Sequence, residues 1–326
     1  MAIPDFTEIK NDVDFSKFAL DTFCYQAENN LIYKQYLNLL KINSSEIKTV
    51  AQIPFLPISF FKTHEILCVG GNSEIVFSSS GTTGNETSKH LVHKLSFYQK
   101  SFLNCFDKFY GNPKEYCILA LLPSYIEREG SSLVYMVNEL IKLSENKKSG
   151  FFLENISELN TIINKYINTT KKIIILGVSF ALLDFIEKFP QQLTSNFIVM
   201  ETGGMKGRKK EITRQELHQK LCLGFGINTV HSEYGMTELL SQAYSSGNGV
   251  YNCPPWMKIV IRDLYDPFHV LPIGKTGGIN IIDLANKYSC SFIETQDLGK
   301  LNEDGSFEVL GRFDNSQMRG CNLLLG

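Results

Sequence analysis

Short, continuous apolar runs alternate with helical segments through the middle of this chain. Residues 116–122, 172–177 and 196–201 are predicted strands, because each is a brief apolar run of the length that strands have. Segments with helical periodicity lie around them, at residues 95–109, 131–143, 157–168, 180–189 and 211–223. Strands that are apolar throughout are buried on both faces. The alternation therefore predicts an α/β fold with mainly parallel sheet flanked by helices.

The two ends of the chain differ from this middle section. Residues 14–41 carry apolar side chains at helical intervals and predict an N-terminal helical cap. After residue 248 the pattern changes to short strands separated by turns, at residues 257–261, 278–282 and 307–310. We therefore predict an α/β core over residues 1–248 and a smaller β-rich subdomain over residues 249–326.

A loop rich in hydroxyl groups and glycine directly follows the apolar run at residues 75–77. It consists of Ser79, Ser80, Gly81, Thr82, Thr83 and Gly84. Glycines allow positive φ angles that turn backbone N–H groups toward one point, and short hydroxyls add donors without crowding a ligand. The loop therefore predicts a phosphate-binding site. The alternative is an ordinary surface loop of the same composition.

Three further blocks follow downstream, namely Tyr234-Gly235-Met236-Thr237-Glu238, Thr295-Gln296-Asp297-Leu298-Gly299 and Gly311-Arg312-Phe313-Asp314, with Arg319-Gly320 just after. In content and order, the four blocks resemble the adenylate-forming superfamily, whose members use ATP to activate a carboxylate as an acyl adenylate. Within it, the chain most resembles the acyl-protein synthetase (LuxE-type) family. Those proteins activate fatty acids and pass the acyl chain on through a cysteine thioester. The resemblance covers residues 75–326 and leaves the N-terminal quarter aside.

The resemblance implies a site for ATP phosphates and Mg²⁺. The hydroxyls and backbone amides of Ser80, Thr82 and Thr83 would hold the β- and γ-phosphates, with Gly81 and Gly84 shaping the loop. Thr237 would bind the α-phosphate. Glu238 is the expected Mg²⁺ ligand, since Mg²⁺ favours one or two carboxylates together with phosphate oxygens.

The same resemblance implies a site for the nucleoside. Asp297 would bind the ribose hydroxyls, and Arg312, on a separate strand, would lie near the ribose and phosphate. Tyr234 would stack on adenine, with Gly235 beside it. Gly203-Gly204, after a predicted strand, resembles the turn on the adenine side in the family.

The chain departs from the superfamily pattern in two places. Residues 85–88 separate Gly84 from Lys89, where a Pro-Lys pair normally follows closely, so a phosphate role for Lys89 is not expected. The mobile C-terminal domain, with the lysine that reaches the reacting groups, is expected to be largely absent because the sequence stops at Gly326. Adenylation then runs without that lysine, a partner supplies a cation, or the protein only binds nucleotide.

Cys321 directly follows Arg319-Gly320, and acyl-protein synthetases carry a cysteine near the C-terminus that takes the acyl group from the adenylate. The resemblance thus implies a thioester on Cys321, and a nearby cation such as Arg319 would favour the reactive thiolate. A small apolar core residue is the alternative. The eight cysteines show no CxxC pair and no metal-site spacing, so they are interpreted as reduced thiols.

Two other classes of function stay open. Gly177-Val178-Ser179-Phe180-Ala181 nearly matches the nucleophile elbow of serine hydrolases and acyltransferases, although Ala181 replaces the last glycine. A non-catalytic nucleotide-binding scaffold would bind ATP and dock a partner without chemistry. His231, before the Tyr-Gly block, either lines the pocket or is a structural histidine.

Composition narrows the partners and the location. A net charge of −2 gives no reason to expect nucleic acid. No apolar run is long enough to span a membrane, and the first residues lack the pattern of a signal peptide, so a cytoplasmic enzyme is expected. The expected partners are a fatty acid or another carboxylic acid and an acyl-acceptor protein, such as a reductase or a carrier protein, as the resemblance implies.

Overall fold

The computed structural model describes residues 5–68, 70, 72–79, 87–123, 130–204 and 212–313. Its helices are α1 (Asp12–Asn29), α2 (Leu31–Leu39), α3 (Phe60–Thr63), α4 (Leu95–Tyr110), α5 (Ser132–Leu143), α6 (Ile156–Tyr166), α7 (Ser179–Lys188) and α8 (Arg214–Phe225). Its strands are β1 (Leu56–Pro57), β2 (Ile75–Ser78), β3 (Lys89–Val92), β4 (Tyr116–Leu121), β5 (Gly150–Phe151), β6 (Lys172–Val178), β7 (Phe197–Thr202), β8 (His231–Tyr234), β9 (Ala243–Ser245), β10 (Val250–Tyr251), β11 (Met257–Arg262), β12 (Thr276–Asp283), β13 (Phe292–Leu301) and β14 (Phe307–Arg312).

Two predicted sites fall outside the described residues. They are the phosphate loop at Ser80, Gly81, Thr82, Thr83 and Gly84, and the thioester residue Cys321. Among the residues that are described, no helix is both long enough and apolar enough to cross a membrane.

The predicted N-terminal helix is two helices, α1 and α2, that meet at Asn30. The Asn30 side-chain oxygen accepts a hydrogen bond from the Tyr33 N–H at 3.0 Å, which caps α2. The Asn30 side-chain nitrogen donates to the Ser289 carbonyl at 2.9 Å. The break is therefore fixed by a distant part of the chain as well as by a local cap, and helical periodicity does not reveal it.

The central sheet has the strand order β5-β4-β6-β7-β8-β9. Strands β5 to β8 pair in parallel, and β9 joins β8 antiparallel. All of β4 is buried, and β6 is buried apart from its first residue, as expected for strands covered on both faces. Helix α5 packs on β4, and α7 packs on β6 and β7. The predicted α/β fold with a mainly parallel sheet is confirmed.

The parallel arrangement brings several predicted residues to one edge of this sheet. Strands β6, β7 and β8 end there at Val178, Thr202 and Tyr234. Ligands of open α/β sheets bind beyond the carboxyl ends of the strands. The segments that follow these strands are therefore the first place to look for a site.

The second sheet has the strand order β10-β14-β13-β12-β11, and these strands pair antiparallel. It contains the predicted short strands after residue 248. Strand β1, from the N-terminal part of the chain, pairs in parallel with β13 through Leu56 and Ile293. The division of the chain into domains at residue 248 stays a prediction.

Strands β2 and β3 pair antiparallel on either side of the predicted phosphate loop. Ser78 and Lys89 are register partners, so the two ends of the loop are held side by side. Lys89 is exposed at the start of β3.

Candidate functional site

The structure brings three of the predicted nucleoside residues together. The Tyr234 hydroxyl, at the end of β8, donates a 2.7 Å hydrogen bond to Asp297 Oδ2 on β13. Arg312 is the register partner of Asp297 across the β13–β14 pair, and its Nε lies 3.9 Å from Asp297 Oδ1. Burial raises the pKa of Asp297, and the hydrogen bond from Tyr234 and the positive charge of Arg312 oppose that rise. One carboxylate therefore links the two sheets.

The Tyr234 ring is held in an aromatic cluster. It makes edge-to-face contacts with Tyr251 and Phe307, whose ring centroids lie 5.8 and 5.6 Å away. Tyr234 is therefore mostly buried, with its hydroxyl committed to Asp297. Arg312, by contrast, has an exposed side chain that a ligand can reach.

The turn after β8 carries Thr237 and Glu238, and β3 holds it. Nδ1 of the buried His90 donates to the Thr237 carbonyl at 2.8 Å, and its Nε2 lies 3.0 Å from Asn286 Oδ1. Asn286 Nδ2 in turn donates to the Glu238 carbonyl at 2.8 Å. Burial lowers the pKa of His90 to about 4, so its part in this network is structural. The turn is therefore held by His90 at the Thr237 carbonyl and by Asn286 at the Glu238 carbonyl.

The Glu238 carboxyl is almost fully buried. Burial raises its pKa, and a hydrogen bond from Ser88 and the charge of Arg312 act in the opposite direction. Within the described ranges, no group of three or more His, Cys, Asp and Glu side chains is placed to hold a metal. A cation at Glu238 would therefore need further ligands, and phosphate oxygens are the usual ones for Mg²⁺.

Asp283, at the end of β12, anchors the same turn through its carboxylate. Its Oδ2 accepts hydrogen bonds from the backbone N–H groups of Leu240 and Ser241 at 2.8 and 3.0 Å. Its Oδ1 accepts from the Ser241 hydroxyl at 2.6 Å and from the Ala285 N–H at 3.2 Å. These bonds oppose the effect of burial, which raises the pKa of this fully buried carboxyl. Asp283 thereby ties the β-rich sheet to the turn that carries Glu238.

Glu233, directly before Tyr234, is a buried carboxyl that no sequence motif indicated. The Thr202 hydroxyl donates to its Oε2 across the β7–β8 pair, in which the two residues are register partners. Burial raises the pKa of Glu233 to about 7, and the nearby Glu201 carboxylate adds to the rise, while the Thr202 hydrogen bond opposes it. This carboxyl therefore changes charge near neutral pH.

The raised pKa of Glu233 predicts a pH-dependent stability. The folded state holds the proton more tightly than the unfolded state, where the pKa is near 4.5. The contribution of Glu233 to the free energy of unfolding is therefore complete below the unfolded-state pKa. It is lost as the pH rises through the folded-state pKa of about 7. Glu233→Gln, which stays neutral, is expected to exceed the wild type in free energy of unfolding by about 3 kcal/mol at a pH of about 8. Urea unfolding at this pH and at a pH of about 4.5 measures it.

A matched control for this prediction is Glu308→Gln, which changes a half-buried glutamate paired with Lys300 at 3.3 Å. It is expected to leave the pH dependence of the wild type unchanged. A Glu233→Gln protein with the same pH dependence as the wild type would contradict the assignment of the titration to Glu233.

Other predicted residues lie near the site without joining its contacts. Gly203 and Gly204 follow β7 and are exposed, and Gly203 has a φ of 69°, which favours glycine. The His231 ring lies against α4, with Nδ1 3.1 Å from the Tyr110 hydroxyl. Burial lowers the pKa of His231.

Ser179 is the first residue of α7 and is buried. Its hydroxyl donates to the Gly203 carbonyl at 3.2 Å. A nucleophile elbow instead exposes its serine at the top of the sheet. This placement favours a structural role for Ser179.

Several residues that shape the site have no motif of their own. Ser88, His90, Asn286 and Glu233 stand in stretches that carry no recognisable spacing. Asp283 carries a weak sequence signal of a structural role, because it ends an apolar strand. An aspartate buried at such a position is costly unless it is hydrogen-bonded. A buried network of this kind is visible only once the strands are placed.

Solved structures with a similar fold are adenylate-forming ligases. ATP-bound MatB from Rhodopseudomonas palustris matches 73% of this chain and 47% of its own, with a TM-score of 0.55 and 17% identity. MenE, the O-succinylbenzoate coenzyme A synthetase from Bacillus subtilis, in complex with AMP, matches 74% of this chain and 50% of its own, with a TM-score of 0.50 and 19% identity. An open conformation of 2-hydroxyisobutyryl-CoA ligase matches 94% of this chain and 77% of its own, with a TM-score of 0.65 and 13% identity.

The fold is therefore that of the adenylate-forming ligases, and the chain spans about half the length of MatB and MenE. The model of one protein family, described as acyl-protein synthetase, LuxE, matches residues 5–326. The chain belongs to this family. A search of curated protein sequences returned no match.

Proposed function

We propose that this protein uses ATP to activate a carboxylic acid as an acyl adenylate and then passes the acyl group to a thiol. The observation that carries the proposal is the convergence of Tyr234, Asp297 and Arg312 with the Thr237–Glu238 turn at one edge of the central sheet. Membership of the acyl-protein synthetase family supports it. The ligase activity, its substrates and its partners are all part of the proposal.

Each residue of the site has a role in this proposal. Asp297 binds the ribose hydroxyls, Arg312 lies near the ribose and phosphates, and Tyr234 borders the adenine site together with Gly235 and Gly203-Gly204. Thr237 binds the α-phosphate, and Glu238 binds Mg²⁺. The loop residues Ser80, Gly81, Thr82, Thr83 and Gly84 hold the β- and γ-phosphates. The described residues fit this assignment, since buried carboxyls, an exposed arginine and a rigid turn are in place.

ATP supplies the phosphorus atom that a carboxylate oxygen attacks, so that pyrophosphate leaves and the carboxyl carbon becomes a good electrophile. The residues of this chain hold and orient the two reactants, which is the main contribution of protein in phosphoryl chemistry. A thiol then attacks the carbonyl carbon, AMP leaves with the carbon–oxygen bond pair, and the thiol proton is released.

The nature of the acid and of the acceptor rests on resemblance. The family points to a fatty acid and to an acceptor protein, such as a reductase or a carrier protein. Structures of MenE with ATP and magnesium ion, and of 2-hydroxyisobutyryl-CoA ligase with 2-HIB-AMP and CoA, support ATP, Mg²⁺ and a thiol acceptor. The cytoplasmic location stays a prediction.

The test is ATP–pyrophosphate exchange with a panel of carboxylic acids. Acid-dependent exchange is expected, because formation of an acyl adenylate is reversible in the presence of pyrophosphate. ATP binding without exchange for any acid would contradict the proposal and would favour a nucleotide-binding scaffold. Reaction with a fluorophosphonate that is lost in Ser179→Ala would favour a serine enzyme instead.

A transient thioester on Cys321 is the second part of the proposal, and it gives a separate prediction. Cys321→Ser is expected to lose nearly all hydroxylamine-sensitive acyl label while it keeps acid-dependent pyrophosphate exchange, because transfer follows adenylation. Incubation with ATP and a radiolabelled acid, followed by hydroxylamine treatment, measures the label. Cys24→Ser, which changes an exposed cysteine on α1, is the control and should keep the label. Full labelling of Cys321→Ser would contradict the assignment.

A further inference from the structure

Strand β14 changes register directly before Arg312. Across the β13–β14 pair, Arg312 stands opposite Asp297, whereas Val309 stands opposite Gly299. One extra residue, Leu310, therefore stands in β14, which makes this part of the strand a β-bulge. A bulge interrupts the ladder and re-aims the side chains beside it. The geometry of this bulge therefore decides where the exposed Arg312 side chain points.

The side chain of Arg214 holds the bulge from outside the sheet. Arg214 is the first residue of α8, and its Nη1 donates to the Val309 carbonyl at 2.8 Å. Its Nε lies 3.5 Å from Oε1 of Glu201, a buried carboxylate on β7. One guanidinium therefore joins the bulge of β14 to the central parallel sheet.

Strand β10 and the turn before it shape the path of this side chain. Gly249 has a φ of 67°, and a Cβ placed on it would lie 3.0 Å from Arg214 Cδ. The Arg214 guanidinium lies over the ring of Tyr251, 5.1 Å from its centroid. Tyr251 in turn contacts the ring of Tyr234. The stem and the charged head of Arg214 are therefore both packed.

The position of Arg214 in its own helix is electrostatically unfavourable, because the N-terminal turn of a helix carries a partial positive charge. Its charge acts instead toward the proposed nucleotide residues. Burial raises the pKa of Asp297, and the charges of Arg312 and Arg214 are among the effects that oppose the rise. The charge of Arg312 also opposes the rise that burial causes in the pKa of Glu238. Arg312 thus acts on both carboxyls of the proposed site.

We propose that Arg214 is a positioning residue for Arg312. It holds the bulge of β14 so that the Arg312 side chain stays aimed at the ribose and phosphates of ATP. The inference rests on the proposed function, which places Arg312 in the nucleotide site. Arg214 itself contacts the Val309 carbonyl and Glu201, so its effect on the nucleotide passes through β14.

The test is a double-mutant cycle on the dissociation constant of ATP, measured by calorimetry for the wild type, Arg214→Met, Arg312→Met and the double variant. Each single substitution is expected to weaken ATP binding about tenfold. The double variant should bind ATP as Arg312→Met does, since Arg214 acts through Arg312. Losses that multiply to about 100-fold would show independent effects and would overturn the inference. Unchanged binding by Arg214→Met would overturn it as well.

Two further proteins complete the cycle. Lys220→Met removes a cation on the same helix that pairs with Glu216 at 2.9 Å, and it should keep the wild-type affinity for ATP. Arg214→Met leaves the buried Glu201 carboxylate without its arginine, which can prevent folding. The combined variant Glu201→Gln with Arg214→Met leaves no such charge and carries the same test, with circular dichroism to establish folding.

Hydrogen exchange separates this inference from the proposed function. A wild type that binds no ATP, or an Arg312→Met protein that binds it unchanged, counts against the proposed nucleotide site. Exchange of the backbone amides of residues 309–312 then decides the inference. Exchange about tenfold faster in Arg214→Met, with the amides of β6 unchanged, supports the hold on the bulge. Equal exchange in the two proteins overturns it.

Discussion

Replacing Glu238 with glutamine is expected to lower ATP–pyrophosphate exchange roughly a thousand-fold. Glutamine keeps the shape of the side chain and can still accept a hydrogen bond from Ser88, but it lacks the charge that a Mg²⁺ ligand needs. Residues 235–241 contain one carboxylate, that of Glu238, so no neighbour in this turn can take its place. Initial exchange rates at saturating acid and Mg²⁺ measure the effect.

A carboxyl-to-amide change away from the turn gives the control for Glu238. Glu308→Gln alters a half-buried glutamate on β14 that pairs with Lys300, and its exchange rate is expected to stay near that of the wild type. An exchange rate of Glu238→Gln within a few fold of the wild type would show that Glu238 is not the metal ligand.

Asp283→Asn is expected to lower the free energy of unfolding by about 1–3 kcal/mol. The Asp283 carboxylate accepts from the N–H groups of Leu240, Ser241 and Ala285 and from the Ser241 hydroxyl. In asparagine, an NH₂ group replaces one of the two accepting oxygens. This NH₂ group is itself a donor, so at least one of the N–H or O–H groups that face it is left buried without an acceptor. Urea unfolding measures the loss. Weaker ATP binding should accompany it, because Asp283 holds the turn that carries Glu238.

Asp263→Asn is the matched control for Asp283. The Asp263 carboxylate also accepts from two backbone N–H groups, those of Tyr265 and Asp266, but in a solvent-accessible turn. Water can replace a bond lost there, so the loss of stability should be much smaller. Equal losses in the two variants would mean that burial of Asp283 has no special effect on stability.

The helices and strands of the α/β core could be predicted closely from sequence. The predicted strand at residues 172–177 is Lys172–Val178, and the predicted helix at residues 95–109 is Leu95–Tyr110. These elements carry strong apolar patterns because they are buried along most of their length. The break at Asn30 was not predicted, because the Asn30 side chain bonds to Ser289, which is distant in sequence.

The candidate site divides in the same way. The sequence indicates Tyr234, Glu238, Asp297 and Arg312 because they stand in contiguous motifs, and in the structure Asp297 contacts both Tyr234 and Arg312. His90 stands outside these motifs. The residue whose carbonyl it holds, Thr237, lies 147 positions away, and no local pattern records such a pair.

The sequence by itself determined the elements, the parallel sheet and the motif residues, because burial and motif chemistry leave local patterns of residue types. Only the tertiary structure decided which side chains meet. It paired Asp297 with Tyr234 across two sheets, anchored the Glu238 turn on Asp283, and placed Glu233 and Gln242 beside Gly235. Such contacts depend on the register and twist of strands that are distant along the chain, and so they follow from the packing of the whole fold.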